Sequence, residues 1–196
     1  MNRGDNIMPS KSPISLTFPI AGKDVLTPLR AGDRVLLSGI VYTARDAAHK
    51  RFVKLFEKGK PLPLSLENQA LYYCGPTPPT KTSVIGSAGP TTSSRMDKFT
   101  PDILRKTGLA AMIGKGDRNH DVIEAIKECG AVYMAAVGGA GALISSRIKS
   151  SQIICYEELG PEAVHKFEVE SLPLIVAIDS KGNDLYELGP KEYLWS

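Results

Sequence analysis

The sequence predicts an α/β fold: a single domain with a mainly parallel or mixed sheet. Three observations lead there. Beyond Gly108, short apolar runs alternate with segments of helical periodicity, the pattern of strands joined by helical crossovers. Nearer the start, the β-branched run Val35–Tyr42 is followed by Ala48, Phe52, Leu55 and Phe56 at helical spacing. The length of 196 residues, with 42% hydrophobic side chains, suits one domain with a substantial core rather than two domains.

Taken in order, residues 1–12 read as a polar leader ahead of a domain over 13–196. Ile14, Leu16 and Phe18 alternate, so Ile14–Phe18 is extended. A turn at Ala31-Gly32-Asp33 precedes the strand Val35–Tyr42, and Arg45–Glu57 is helical until Gly59 stops it. After Pro61-Leu62-Pro63 comes a short strand at Leu71–Cys74. Pro76, Pro78 and Pro79 then make Gly75–Thr82 a shaped loop, because proline can neither donate to a sheet ladder nor sit inside a helix. The segment Gly86–Arg95 is dense in small and hydroxyl residues and opens into a helix over Met96–Lys106. From there the alternation predicts strands at Leu109–Ile113, Ala131–Val137, Gln152–Cys155 and Leu174–Ile178. Helices are expected at Asn119–Cys129 and Ala140–Ile148. No internal repeat is visible.

The net charge of +3 conceals an asymmetry. Residues 1–150 hold 21 Lys+Arg against 12 Asp+Glu, whereas residues 151–196 hold 3 against 9. The basic residues are scattered and few aromatics accompany them, so no nucleic acid is expected and a small carboxylate or phosphate compound fits better. Cys74, Cys129 and Cys155 are odd in number and widely spaced. That argues against a disulfide framework and for a reducing compartment, and no close cysteine pair suggests a cluster held by this chain. The first 25 residues contain no continuous apolar stretch of the secretory kind, so the cytoplasm is the expected location. From Cys129 to Ser146 no residue is charged, yet Gly130, Gly138, Gly139 and Gly141 interrupt the run. It reads as strand, glycine turn and helix, and no membrane span is expected.

Three constellations could carry chemistry. Gly114-Lys115-Gly116-Asp117-Arg118-Asn119 lies between a strand and a helix, where backbone N–H groups and Lys115 can face an anion. It is not a P-loop, and the plain alternative is a turn with Asn119 as helix cap. Gly89-Pro90-Thr91-Thr92-Ser93-Ser94-Arg95 combines a fixed backbone, hydroxyls and a planar guanidinium suited to a carboxylate. Thr43-Ala44-Arg45-Asp46-Ala47-Ala48-His49 places Arg45 at a strand end, for a ligand or for a local salt-bridged cap with Asp46 or His49. His49, His120 and His165 show no metal-site spacing.

Together and in this order, these motifs resemble the β subunit of the class I, iron–sulfur-dependent fumarate hydratases and their tartrate dehydratase relatives. Gly130–Ala142 and Tyr156-Glu157-Glu158-Leu159-Gly160-Pro161-Glu162-Ala163 are similar as well, so the resemblance spans about Ile14 to Leu188. It departs from the family pattern at Ser93-Ser94 and at Cys74. The resemblance implies a swivelling β/β/α domain that closes over a partner α subunit, and a [4Fe–4S] cluster bound by that partner and not by this chain. The implied reaction is reversible hydration of fumarate to L-malate, a C4 dicarboxylate, in a hetero-oligomer. Carried over by position, Arg45, Arg95 and Lys115 are substrate-binding and Thr91 is the proton-handling residue. L-tartrate dehydration is the alternative in the same reaction class. A non-catalytic domain that binds a small anion is the alternative outside it.

Overall fold

The computed structural model describes residues 12–80, 83–136 and 141–188. Among them seven strands form one mixed sheet: β1 (Ile14–Phe18), β2 (Arg34–Thr43), β3 (Ala70–Tyr72), β4 (Ala111–Gly114), β5 (Val132–Ala135), β6 (Ile148–Cys155) and β7 (Val164–Ile178). Their spatial order is β1-β2-β3-β4-β5-β7-β6. Strands β1 to β5 run parallel, and β7 runs antiparallel to β2, β5 and β6. Because β7 pairs with both β2 and β5, the strands β2, β3, β4, β5 and β7 close into a ring.

Strand alternation sorts the side chains into two cores. Tyr72, Ile113, Val132 and Met134 join Leu37, Phe167 and Val176 in one cluster. Their chain neighbours Tyr73, Met112 and Tyr133 face the other way, onto α1 (Asp46–Glu57), α2 (Thr100–Thr107) and α3 (His120–Cys129). Those helices present Phe52, Ile103, Leu104, Val122 and Ile126, all essentially fully buried. Each such aliphatic or aromatic side chain contributes roughly 1.5–3 kcal/mol. A fourth helix, α4 (Gly141–Ser146), leads into β6.

The alternating α/β reading holds, with three differences. Strand β7 runs for 15 residues rather than the predicted last five. Its first part carries Lys166, Glu168 and Glu170, and Pro173 lies inside it, features that mask a strand when read locally. Both neighbours β2 and β6 supply the pairing that overrides them. The single helix predicted over Met96–Lys106 is a short 3-10 turn at Ser93–Met96 followed by α2, with Pro101 in the first turn of α2. Proline lacks the N–H that a continuous helix needs there. Strand β6 begins at Ile148, which shortens the predicted helix over Ala140–Ile148. Residues 1–11 of the leader, Lys81, Thr82, and the glycine turn Gly138-Gly139 lie outside the described residues. No helix among the described residues is long and apolar enough to cross a membrane.

The acidic end of the chain folds back on the basic remainder. Glu158 pairs with Arg51, Glu162 with Arg45, and Glu170 with Lys149, so part of the charge asymmetry is met within the fold.

Candidate active site

The carboxyl ends of parallel strands leave backbone N–H groups and loops open to a ligand. Here β2 ends at Thr43 and runs on into Ala44 and Arg45, β3 runs on into Tyr73, Cys74 and Gly75, and β4 ends at Gly114 beside Lys115. Between the extensions of β3 and β4 the segment Pro90–Ser93 is inserted. Pro90 bridges Cys74, and Thr92 pairs with Lys115. The Thr91 N–H donates to the Tyr73 carbonyl at 2.7 Å, and the Ser93 N–H donates to the Lys115 carbonyl at 2.8 Å. Thr91 is thereby fixed at this edge by its backbone. Gly114 is required for the insertion, since a Cβ there would fall on the Ser93 hydroxyl and lie 3.0 Å from the Tyr73 ring.

Arg45 caps the start of α1 in extended conformation. Its guanidinium lies 3.3 Å from Glu162, with both side chains about a quarter exposed. The other Glu162 oxygen accepts the Ala47 N–H at 2.9 Å, so one carboxylate holds Arg45 and the helix start together. Gly75 makes room for this arginine: a Cβ on it would stand 2.9 Å from Arg45 Nη1 and 2.9 Å from the Pro161 carbonyl. Arg95 reaches the same helix end. Its Nε donates to Asp46 at 3.1 Å, and Nη2 lies 2.8 Å from the second carboxylate oxygen. Arg45 therefore pairs with Glu162, and Asp46 with Arg95, rather than the two neighbours pairing locally. Lys115 is exposed. Among the described residues its ammonium has no ion-pair partner and the Thr91 hydroxyl no hydrogen bond.

A buried polar network ties the two glycine-bearing loops beneath this edge. Arg118, whose side chain is wholly buried, donates through Nε to Asp97 at 2.7 Å and through Nη2 to the Thr100 hydroxyl at 2.8 Å. The other Asp97 oxygen accepts the Asn119 N–H at 2.8 Å. Burial works against the Arg118 charge, but Tyr73, Asp97 and Tyr133 outweigh it and its pKa stands above the ordinary value. Its guanidinium sits over both tyrosine rings, 5.3 and 5.0 Å from their centroids. Tyr133 in turn donates to the Gly116 carbonyl at 2.8 Å and lies 2.9 Å from the Ser93 hydroxyl. The first serine of the Ser93-Ser94 departure thus joins the frame. Asn119 does cap α3, its side chain accepting the Val122 N–H, so the plain reading of that turn holds beside the exposed Lys115.

His49 lies beneath Arg45. Its Nδ1 is 2.8 Å from the Arg45 carbonyl, which can only accept, so Nδ1 carries the proton. Burial among Phe52, Tyr73 and Phe99 pulls its pKa down to about 4, and the ring is neutral at physiological pH.

The structure brings Arg45 and Arg95 to the two carboxylates flanking the start of α1, and Thr91 to the backbone beside Lys115. A cavity of about 500 Å³ opens between the proline loop and β6, with Val84, Ile85, Ile153 and Pro161 in its wall. Arg45, Thr91, Arg95 and Lys115 do not line it. In the sequence Asp46 reads as a local partner of Arg45 and Glu162 has no evident role, whereas in the fold Asp46 holds Arg95 and Glu162 holds Arg45. Only the pairing across elements reveals them.

Among the described residues Cys74, Cys129 and Cys155 are free thiols, and no three His, Cys, Asp or Glu side chains converge. Burial raises all three thiols, Cys74 to about 12 and Cys155 to about 11.

The carboxyl ends of the parallel strands in this α/β domain thus carry Arg45, Arg95 and Lys115 on the adjoining loops and helix start. Residues 6–189 match the family model described as Fumarase C-terminus. The chain belongs to that family, which includes class I fumarate hydratase C-terminal regions and tartrate dehydratase β subunits. It is 38% identical over 176 residues to a Methanocaldococcus jannaschii protein provisionally named L(+)-tartrate dehydratase subunit beta, covering 87% of this chain and 90% of that one. To fumarate hydratase 2 of Leishmania major it is 36% identical over 162 residues, covering 82% of this chain and 28% of that one. To the aerobic class I fumarate hydratase of Escherichia coli K12 it is 34% identical over 169 residues, covering 84% and 31%. The chain thus spans nearly all of the first relative and roughly three tenths of the other two.

Proposed function

We propose that this chain is the β subunit of a hydro-lyase that adds water reversibly to fumarate to give L-malate, active with a partner α subunit that carries the [4Fe–4S] cluster. The domain swivels to close its cationic edge over the partner. Arg45, Arg95 and Lys115 bind the carboxylates of the C4 substrate, and Thr91 handles the proton at the substrate carbon. The observation that carries this reading is the grouping of three cationic side chains and an unengaged threonine hydroxyl on loops at one end of the parallel strands. A dicarboxylate needs two separated positive groups, and a guanidinium fork matches a carboxylate. A threonine hydroxyl is a weak base, so it acts only where its proton can be relayed and the developing charge is stabilised nearby.

A second reading, L-tartrate dehydration, is favoured by the similarity to the Methanocaldococcus jannaschii protein over nearly its whole length. Both are tested by co-expressing the chain with its partner subunit under anaerobic conditions and following fumarate and L-tartrate turnover. The expected result is hydro-lyase activity in the pair and none in the isolated chain. Thr91→Ala is expected to lower kcat roughly 10²–10⁴-fold with little change in KM, and Arg95→Met to raise KM strongly. A pair that binds dicarboxylates but turns over neither substrate points instead to a non-catalytic anion-binding domain.

A further inference from the structure

We propose that Asp46 is a positioning residue that presents the Arg95 guanidinium to substrate, an inference that rests on the functional reading above. A guanidinium has two usable edges, one formed by Nε with one terminal nitrogen and one formed by both terminal nitrogens. Asp46 occupies the first, taking the Nε hydrogen at 3.1 Å and standing 2.8 Å from Nη2. The edge formed by Nη1 and Nη2 has no partner among the described residues, and the Arg95 side chain is half exposed. A long side chain at a surface otherwise samples many rotamers. Pairing through the inner edge removes that freedom while leaving the outer edge open to a second carboxylate.

The carboxylate is itself well anchored. Asp46 is the first residue of α1, where the positive end of the helix dipole favours an acid. Its chain neighbour Arg45 is held by Glu162, which also caps Ala47. One turn of α1 therefore sets the positions of both arginines relative to each other, which a substrate with two carboxylates requires. The alternative, that Asp46 is a counter-ion which substrate must displace, predicts the opposite sign.

The test is steady-state kinetics of the assembled α/β enzyme with Asp46→Ala and Asp46→Asn, each made alone and together with Arg95→Met. An exposed pair of this kind is worth up to a factor of about five, so Asp46→Ala is expected to raise KM about five-fold with a smaller effect on kcat. Asp46→Asn retains an acceptor for Nε and is expected to lie between. In the Arg95→Met background neither change is expected to move KM further, because Asp46 acts through Arg95. A purely structural role would add the same effect in both backgrounds and would overturn the proposal. So would a fall in KM, or an unchanged KM in an active pair. A wild-type pair inactive on both substrates would overturn the functional reading itself, and the positioning role with it.

Discussion

The buried pair between Arg118 and Asp97 is where stability and site geometry meet. Replacing Arg118 by Met fills similar volume, so the loss is electrostatic rather than a cavity. It leaves Asp97 in the protein interior with the Asn119 N–H as its remaining partner, at 2.8 Å, and releases the Thr100 hydroxyl from its contact with Nη2 at 2.8 Å. With side-chain exposures of 0% and 7% for the two partners, solvent cannot compensate. Breaking such a pair from one side typically costs about 3–5 kcal/mol, and the retained N–H contact places the expectation near the lower figure. Asp97→Asn alone is expected to destabilise as well. The double variant Arg118→Met/Asp97→Asn is expected to lose about 1–3 kcal/mol less than the sum of the singles, because no unpaired charge remains. Urea denaturation of the full chain measures all three. An Arg118→Met variant within about 1 kcal/mol of wild type, or strictly additive singles, would refute the reasoning. The same variant should weaken substrate binding, since this pair holds the segment carrying Thr91 and Arg95 to the segment carrying Lys115.

The neutral, buried His49 makes stability depend on pH. Its folded-state pKa falls from 6.5 to about 4, so between those values the unfolded chain takes up a proton that the folded chain does not. Its contribution is complete above pH 6.5 and is lost as pH falls toward 4, to a limit of about 3 kcal/mol. Urea midpoints from pH 7 to 4 should fall less steeply for His49→Phe than for wild type, and equal slopes would contradict the assignment. Gly75→Ala would place a methyl carbon 2.9 Å from Arg45 Nη1 and 3.2 Å from its Cδ. The expected result is a displaced Arg45, a weakened pair with Glu162 and a raised KM in the assembled enzyme. An unchanged KM would show that Arg45 does not bind substrate from this position.

Much of the architecture was legible because its signals are local. The β-branched run of β2, the apolar face of α1, Asn119 ahead of α3 and the proline loop after β3 each depend on a few neighbouring residues, and their periodicity or backbone chemistry survives without context. The motifs holding Arg45, Thr91, Arg95 and Lys115 were legible for the same reason, as short patterns of glycine, hydroxyl and charge at strand ends. The first part of β7 was not. Its charged residues and Pro173 argue against a strand, and only the partners on both sides, far away in sequence, stabilise it. Pairing of charges was equally hidden: Asp46 sits beside Arg45 in the chain yet bonds Arg95, and Arg45 turns to Glu162. Composition and local pattern determined the α/β class and the cationic character of the strand ends. Tertiary structure alone decided which carboxylate meets which guanidinium, because that choice depends on side-chain reach across elements that only folding brings within a few ångströms.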